Sequence, residues 1–98
     1  MFSWDEANVG HLAEHSVLSI EAEQVIKNSP LDLERQIHNG EERMVHLGET
    51  NSSRVLVVVT TMREELIRVV TAYDANRKLR KFYATQRGFR NVEKTRDP

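Results

Sequence analysis

The stretch from residue 53 to residue 83 places arginines where they could bind a phosphate. It reads SRVLVVVTTMREELIRVVTAYDANRKLRKFY, and two strand-like runs meet at a tight turn that contains Arg63. Arg68 lies inside the second run. Since a guanidinium held on a rigid sheet can form two hydrogen bonds with one phosphate, Arg63 and Arg68 are predicted to clamp the backbone of a nucleic acid. A solvated turn charge at Arg63 and a solvated sheet face at Arg68 are the alternatives.

Two tyrosines and a basic helix follow this pair of arginines. Tyr73 is the last residue of the second strand-like run. It can stack against a base or share a proton, although a tyrosine at the end of a strand often only packs. Tyr83 belongs to the apolar stripe of a predicted helix, where a core position is the alternative to a catalytic role. Four basic residues of the same helix are expected to lie near the arginine pair: Arg77, Lys78, Arg80 and Lys81. They either attract RNA through their charge or form an ordinary solvated face of the helix.

Histidines and glutamates near the start of the chain offer further chemistry. His11 and His15 are four residues apart in a predicted helix and therefore share one face. This is the spacing of zinc ligands, but a third ligand and a neighbouring glutamate pattern are missing, so no metal and no cofactor are predicted. The two histidines are interpreted as structural or proton-transfer groups. Glu41 and Glu42 beside Arg43 indicate a local ion pair, with a catalytic base as the alternative.

The composition is that of one soluble domain with a modest core. The chain has 98 residues, of which 39% are hydrophobic and 30% are charged. It has no cysteine, which excludes disulfides and thiolate metal sites. No apolar run approaches the roughly 18 residues of a membrane-spanning helix, and the N-terminus lacks the pattern of a signal peptide. We expect a cytoplasmic protein that does not bind membranes.

Charge is unevenly distributed along the chain, although the formal net charge is only −1. Residues 1–53 contain 3 Lys and Arg against 10 Asp and Glu, whereas residues 54–98 contain 11 against 5. This uneven distribution predicts that the folded protein has one acidic and one basic face. The basic face would suit RNA, DNA or an acidic partner. The alternative is the ordinary fluctuation of charge along a sequence.

The predicted elements follow the order α-α-β-β-β-β-α. This order indicates an α+β fold, in which an antiparallel sheet of three to four strands carries two N-terminal helices and one C-terminal helix. Ser3, Ser19 and Asp74 are the predicted helix caps. Strands are predicted at residues 31–34, 42–49, 55–61 and 66–73, the first of them a short edge strand.

Apolar residues at helical spacing define the predicted core positions of the three helices. They are Val9, Leu12 and Ala13 in the first helix, Ile20, Val25 and Ile26 in the second, and Ala75, Leu79, Phe82 and Tyr83 in the third. Gly88 is predicted to end the third helix. A single domain is therefore expected over residues 1–88, with residues 89–98 as a flexible tail.

Five segments, taken in order, resemble the BrnT family of toxins from type II toxin–antitoxin modules. They are WDEANVGHLAEHSV, SIEAEQVI, GEERMVHLGET, SRVLVVVTTMREELIRVVTAY and RKLRKFY, which together span roughly residues 2 to 84. The ordered series carries the resemblance, since no single segment is specific. The chain departs from the family pattern at Thr71-Ala72-Tyr73, where members often have Ser-Ala-Arg.

The resemblance implies a compact fold similar to RelE-type ribonucleases and a metal-independent ribonuclease activity. It also implies a BrnA-like antitoxin whose ribbon-helix-helix segment binds operator DNA, so that this chain would meet DNA only through its partner. Metal-free RNA cleavage requires a base for the 2′-hydroxyl, an acid for the leaving oxygen and fixed cations for the phosphorane. Arg63 and Arg68 would be the cations, with Tyr73, Tyr83 and the histidines as candidates for the acid and the base.

A binding module without catalytic activity is the second hypothesis. Such a module would sequester the antitoxin and contribute to repression of its own operon. It needs only the surface that contacts the partner, which the acidic N-terminal half or the apolar edge strand could provide.

Overall fold

A computed structural model describes the backbone of residues 1–96 and the side chains of residues 1–87. It confirms the α+β fold with two N-terminal helices, an antiparallel sheet and a C-terminal helix. The elements are α1 (Glu6–Glu14), α2 (Ser19–Lys27), β1 (Leu31–His38), β2 (Glu41–Glu49), β3 (Val55–Arg63), β4 (Leu66–Asp74) and α3 (Arg77–Arg96).

The strands lie in the order β1-β2-β3-β4, each antiparallel to its neighbour. Short turns explain this order, because they return the chain directly beside the strand it has left. Asn39 and Gly40 have φ values of 50° and 79°, and Glu64 and Glu65 have values of 53° and 67°. Paired positive φ values suit a two-residue hairpin turn, so both hairpins close tightly.

The sheet is buried on both faces. One face packs against α1 and α2, where Leu12 and Val25 meet Val58 and Val69. The other face packs against α3, where Tyr83 joins a cluster that includes residues of β2 and β3. Since β3 contributes to both clusters, its unbroken apolar run is explained by burial on two sides.

A β-bulge in the β3–β4 pair changes which side chains share a face. Val58 pairs with Ala72 and Thr61 pairs with Arg68, with a register shift between them. Ala72 therefore belongs to the core under α1 and α2, whereas Arg68 lies on the α3 side of the sheet. Simple alternation along β4 predicts that Arg68 and Ala72 share one face. They lie on opposite faces because the extra residue of the bulge shifts the alternation by one position.

The two edges of the sheet differ in their hydrogen bonding. The outer edge of β4 is covered at its start, since the Ile67 amide donates to the Met1 carbonyl at 2.7 Å and the Ser3 amide donates to the Ile67 carbonyl at 2.8 Å. Asn8 Nδ2 also donates to the Val69 carbonyl at 3.4 Å. At the opposite edge, β1 is mostly exposed, as expected of an edge strand, but it is longer than predicted.

Helix α1 begins two residues later than predicted. Asp5, and not Ser3, is the N-cap: its Oδ1 accepts from the Asn8 amide at 2.9 Å, while Asn8 Oδ1 accepts from the Asp5 amide at 2.7 Å. This reciprocal pair satisfies two amides that the helix leaves unpaired. Leu12 is fully buried as predicted, but Val9 is 41% exposed.

Leu18 is the N-cap residue of α2 and forms no side-chain capping hydrogen bond, so the prediction of Ser19 as the cap is wrong. Ser19 is already helical, and the Glu21 carboxylate accepts from the Leu18 amide at 3.0 Å. Val25 is fully buried as predicted, whereas Ile20 is 52% exposed. The amphipathic stripe is therefore narrower than the spacing of apolar residues indicates.

Helix α3 takes its cap from Asn76, whose Oδ1 accepts from the Leu79 amide at 2.9 Å. Asp74, the predicted cap, instead forms two hydrogen bonds of 2.9 Å with Arg54. The charged pair thus ties the end of β4 to the start of β3.

The predicted stripe of α3 is only partly buried, because Phe82 is 45% exposed while Tyr83 is 8% exposed. The helix also continues through Gly88 to Arg96, so Gly88 does not end it. A single domain over residues 1–88 and flexibility of residues 89–98 stay predictions.

The acidic and basic halves of the sequence pair with each other. Among the described residues, four arginines of the second half contact carboxylates of the first half: Arg54 to Glu21 at 3.1 Å, Arg63 to Glu41 at 3.5 Å, Arg68 to Asp5 at 2.9 Å, and Arg87 to Glu49. The predicted separation into two charged faces does not hold for these residues.

Candidate functional site

The β3–β4 hairpin brings Arg63 and Arg68 to one concavity of about 220 Å³. Arg68 lies opposite Thr61 in the ladder, and Arg63 is two residues beyond Thr61 on the same strand. Since alternate residues of a strand face the same side, both guanidinium groups start from one face of the sheet. Arg68 is largely shielded, with 18% of its side chain exposed, whereas Arg63 is 57% exposed.

Strand β2 adds Glu41 and Arg43 to the concavity. Glu41 Oε1 lies 2.9 Å from Arg43 Nε, and its Oε2 lies 3.5 Å from Arg63 Nη2. Hydrogen bonds from Arg43 first, and then from Arg63, hold the pKa of the Glu41 carboxyl below its usual range. Glu41 is therefore ionised at neutral pH and holds two arginines beside each other.

Helix α1 forms the opposite wall through Ala7, Asn8 and His11. Asn8 is 5% exposed and fixes the helix against β4 through its bond to the Val69 carbonyl. His11 is about half exposed and lies 3.7 Å from Glu14. An imidazole at this position can exchange a proton with a molecule bound in the concavity.

Asp5 holds Arg68 from the cap of α1. Its Oδ2 lies 2.9 Å from Arg68 Nη2 while its Oδ1 accepts the amide of Asn8. The Asn8 amide, followed by the Arg68 guanidinium, lowers the pKa of the Asp5 carboxyl. Around the concavity, three guanidinium groups thus face the carboxylates of Asp5 and Glu41, which leaves an excess of positive charge.

Tyr83 is part of the core and does not line the concavity. It is 8% exposed, and its hydroxyl donates to Glu49 at 3.4 Å. Arg87 contacts the same carboxylate. Because Glu49 is the last residue of β2, α3 crosses the end of the sheet opposite the β3–β4 turn.

Tyr73 lies near that far end of β4 and is 40% exposed. Its ring centroid is 6.1 Å from that of His15 on α1. Tyr73 is therefore separated from the arginine pair along the strand, although it lies on the same flank of the molecule as His11.

The four cations of α3 do not join Arg63 and Arg68. Strand β4 spans roughly 30 Å, and the helix begins only beyond its end. Arg80 donates to the Ala75 carbonyl at 2.6 Å, and all four side chains are exposed: Arg77, Lys78, Arg80 and Lys81. They form a basic surface apart from the concavity.

Two further polar clusters were not found from the sequence. His46 bridges the sheet, with Nδ1 2.7 Å from Asp32 Oδ1 and Nε2 2.8 Å from Thr60 Oγ1. Arg54 contacts Asp74, Glu21 and the Ser16 carbonyl. Asp74 first, and then Glu21, raises the pKa of its guanidinium. Both clusters join residues distant in sequence and carry no local motif.

The described part of the chain contains no group of three or more His, Cys, Asp or Glu residues arranged to hold a metal ion. Over the same residues, no helix is both long enough and apolar enough to cross a membrane.

A family model described as "Ribonuclease toxin, BrnT, of type II toxin-antitoxin system" matches residues 4–78. The match includes every residue that lines the concavity, from Ala7 to Val70. No curated protein matched the sequence. Because the family model covers most of the chain, this protein belongs to the BrnT family of type II ribonuclease toxins.

Proposed function

We propose that this chain is a metal-independent endoribonuclease whose active site is the concavity between β2, β3, β4 and α1. One observation carries the proposal. Three guanidinium groups, an imidazole and an ionised carboxylate, from three strands and one helix, border the same space of about 220 Å³. This volume is below the ~300–1,000 Å³ of pockets that enclose whole ligands, and it suits one phosphate and its ribose.

Arg63 and Arg68 act as the phosphate clamp in this mechanism. Guanidinium groups bind phosphate oxygens through parallel hydrogen bonds and stabilise the extra negative charge of a phosphorane. Arg43 keeps Glu41 ionised and in place through their 2.9 Å contact. The fixed positive charge of the arginines serves the purpose that a metal ion serves in other nucleases.

Glu41 and protonated His11 are the proposed base and acid. Glu41 accepts the proton of the 2′-hydroxyl, and the 2′-oxygen attacks the phosphorus. The bond from phosphorus to the 5′-oxygen breaks, and His11 donates a proton to that oxygen. The products are a 2′,3′-cyclic phosphate and a 5′-hydroxyl, so the reaction requires RNA because DNA lacks the nucleophile.

The remaining predicted residues have supporting roles in this proposal. The basic surface of α3 attracts RNA through its charge, which would make binding weaken with added salt. Tyr83 holds α3 against the sheet and takes no part in the reaction. Tyr73 lies outside the concavity and is available to RNA that extends from it.

The proposal includes a protein partner, because type II toxins are paired with antitoxins. We propose a BrnA-like antitoxin that neutralises the toxin and binds operator DNA through a ribbon-helix-helix segment. Both would act in the cytoplasm. A neighbouring reading frame for a short ribbon-helix-helix protein, whose co-expression removes toxicity, supports this partner, whereas toxicity that persists under co-expression contradicts it.

Purified protein incubated with single-stranded RNA and an excess of EDTA tests the activity. We expect cleavage with cyclic phosphate ends, and about 10²-fold slower cleavage by Arg63→Ala. Arg35→Ala is the matched control, since Arg35 is 65% exposed on β1 and does not line the concavity. Intact RNA with the wild-type protein, or equal rates for the two variants, contradicts the proposed site.

A catalytically inactive binding module is the second candidate, and the ion pairs favour it. Each arginine of the concavity already has a carboxylate partner, Asp5 or Glu41. This hypothesis predicts that expression of the chain alone does not arrest growth, while the antitoxin still binds it and operon repression still depends on the pair.

A further inference from the structure

A seam runs along one flank of the molecule where α1 lies beside β4. The helix and the strand run in the same direction, as three successive contacts show. Asp5 forms an ion pair with Arg68, and Asn8 donates to the Val69 carbonyl. Farther along, the ring of His15 contacts that of Tyr73. The seam therefore leads from the arginine pair to the far end of β4.

Three aromatic rings follow this seam at nearly even spacing. The ring centroids of His11 and His15 are 5.5 Å apart, with the planes at 80°. Those of His15 and Tyr73 are 6.1 Å apart, at 57°. His11 also lines the concavity, so the row of rings is continuous with the proposed phosphate site.

The rings remain accessible in spite of their contacts. Tyr73 is 40% exposed, and both histidines are exposed. The His11–His15 pair meets edge to face and the His15–Tyr73 pair is tilted, so neither pair covers its ring faces as a parallel stack would. A flat aromatic group can therefore stack on His15 or Tyr73 without first opening the core.

We propose that the α1–β4 seam binds a nucleobase of single-stranded RNA by stacking on His15 and Tyr73. The inference rests on the proposed function, because the arginine pair holds one phosphate of the strand and a neighbouring nucleotide, farther along the seam, places its base on the rings. An unstacked base reaches the rings, whereas a base inside a duplex does not, so the site selects single strands. Any of the four bases can stack on these rings. The site therefore fixes the position of the RNA strand and contributes little to selection of its sequence.

Two fluorescent 2′-O-methyl oligoribonucleotides test the proposal, one with bases and one with abasic riboses throughout. The methyl group blocks cleavage, so that binding alone is measured by fluorescence anisotropy. Tyr73→Ala should weaken binding of the base-bearing strand roughly 5- to 100-fold and leave the abasic strand unaffected. Tyr73→Phe should retain the affinity, since it keeps the ring.

Two more variants complete the comparison. Phe82→Ala removes a 45% exposed ring from α3 and should change neither strand's binding. His15→Ala removes the neighbouring ring from an exposed position and tests the same seam if Tyr73→Ala does not fold.

The outcomes separate this inference from the proposed function. If Arg63→Ala weakens both strands and neither Tyr73→Ala nor His15→Ala has any effect, the stacking site is wrong and the phosphate site stands. If the wild-type protein binds neither strand, both proposals are overturned. Selective loss of the base-bearing strand supports stacking.

Discussion

Arg68 Nη2 lies 2.9 Å from Asp5 Oδ2, so the arginine that is proposed to bind phosphate already forms an ion pair with the N-cap carboxylate of α1. The other oxygen of Asp5 accepts the Asn8 amide. Carboxylate and phosphate oxygens bind a guanidinium in the same way. An incoming phosphate must therefore displace Asp5 from Arg68 or share the arginine with it.

Asp5→Asn should strengthen RNA binding severalfold at low salt. Asparagine is as good an N-cap as aspartate, so α1 keeps its start, while the charge that competes with phosphate is lost. The dissociation constant of a 2′-O-methyl oligoribonucleotide measures the effect. Glu6→Gln is the control, because it removes an exposed charge from the same turn. Weaker binding by Asp5→Asn alone would mean that Asp5 positions Arg68.

Glu41→Gln should slow RNA cleavage by about 10²-fold or more, because it removes the proposed base. Single-turnover cleavage of a short RNA measures the rate, and the affinity for the 2′-O-methyl strand shows that binding is retained. Glu42→Gln is the neighbouring control, since the Glu42 carboxylate pairs with Arg35 at 3.8 Å. Equal rates for the two variants would place the base elsewhere.

Acid should destabilise the fold through its ion-paired carboxylates. The Arg54 guanidinium holds the pKa of Asp74 below its ordinary value of 3.8. The unfolded chain therefore binds more protons as the pH falls, so the free energy of unfolding decreases. The stabilisation that the Arg54–Asp74 pair contributes is complete above pH 3.8. It is lost as the pH falls through the lower pKa that Asp74 has in the folded protein.

Urea unfolding at several pH values measures this loss. Asp74→Asn should be less stable than the wild type at neutral pH and should lose less stability in acid. The exposed turn residue Glu65 provides the control Glu65→Gln. Identical pH profiles for wild type and Asp74→Asn would show that the Arg54–Asp74 pair contributes nothing.

Gly48→Ala should destabilise the fold by about 1–3 kcal/mol, because α2 and its following proline approach β2 at this glycine. An added Cβ would lie 2.9 Å from Pro30 Cβ and 3.0 Å from Val25 Cγ1. Gly10→Ala is the control, and it is expected to change the stability in the opposite direction. It has nothing within 4 Å and lies inside α1, where alanine should stabilise by about 0.5–1 kcal/mol. Urea midpoints that move in the same direction for both variants would contradict this packing.

Local patterns predict the hairpins and the arginine pair well. The β-branched run of β3, the turn after it and β4 lie within one continuous segment, so that the positions of Arg63 and Arg68 follow from counting along a hairpin. The same counting through the β2–β3 hairpin brings Arg43 beside Thr61, and this signal could have added Arg43 to the site.

Other features depend on packing between distant elements. His11 lines the same concavity as Arg68 because of the way α1 lies on β4, which no local spacing specifies. The bulge after Val59 moves Ala72 to the other face, and a uniform period of two misses it. Ser3 and Ser19 match cap preferences as well as Asp5 does, so the choice among them is made by tertiary contacts.

Covering β4 with residues 1–3 and α1 has a consequence for association between sheets. The hydrogen-bonding groups of Ile67 and the carbonyl of Val69 are already in use, so this part of β4 is closed to a strand from another molecule, whereas β1 is the opposite edge strand of the sheet. A fibril requires every subunit to pair along two sheet edges. Blocking the first part of β4 therefore disfavours open-ended polymerisation of the folded chain.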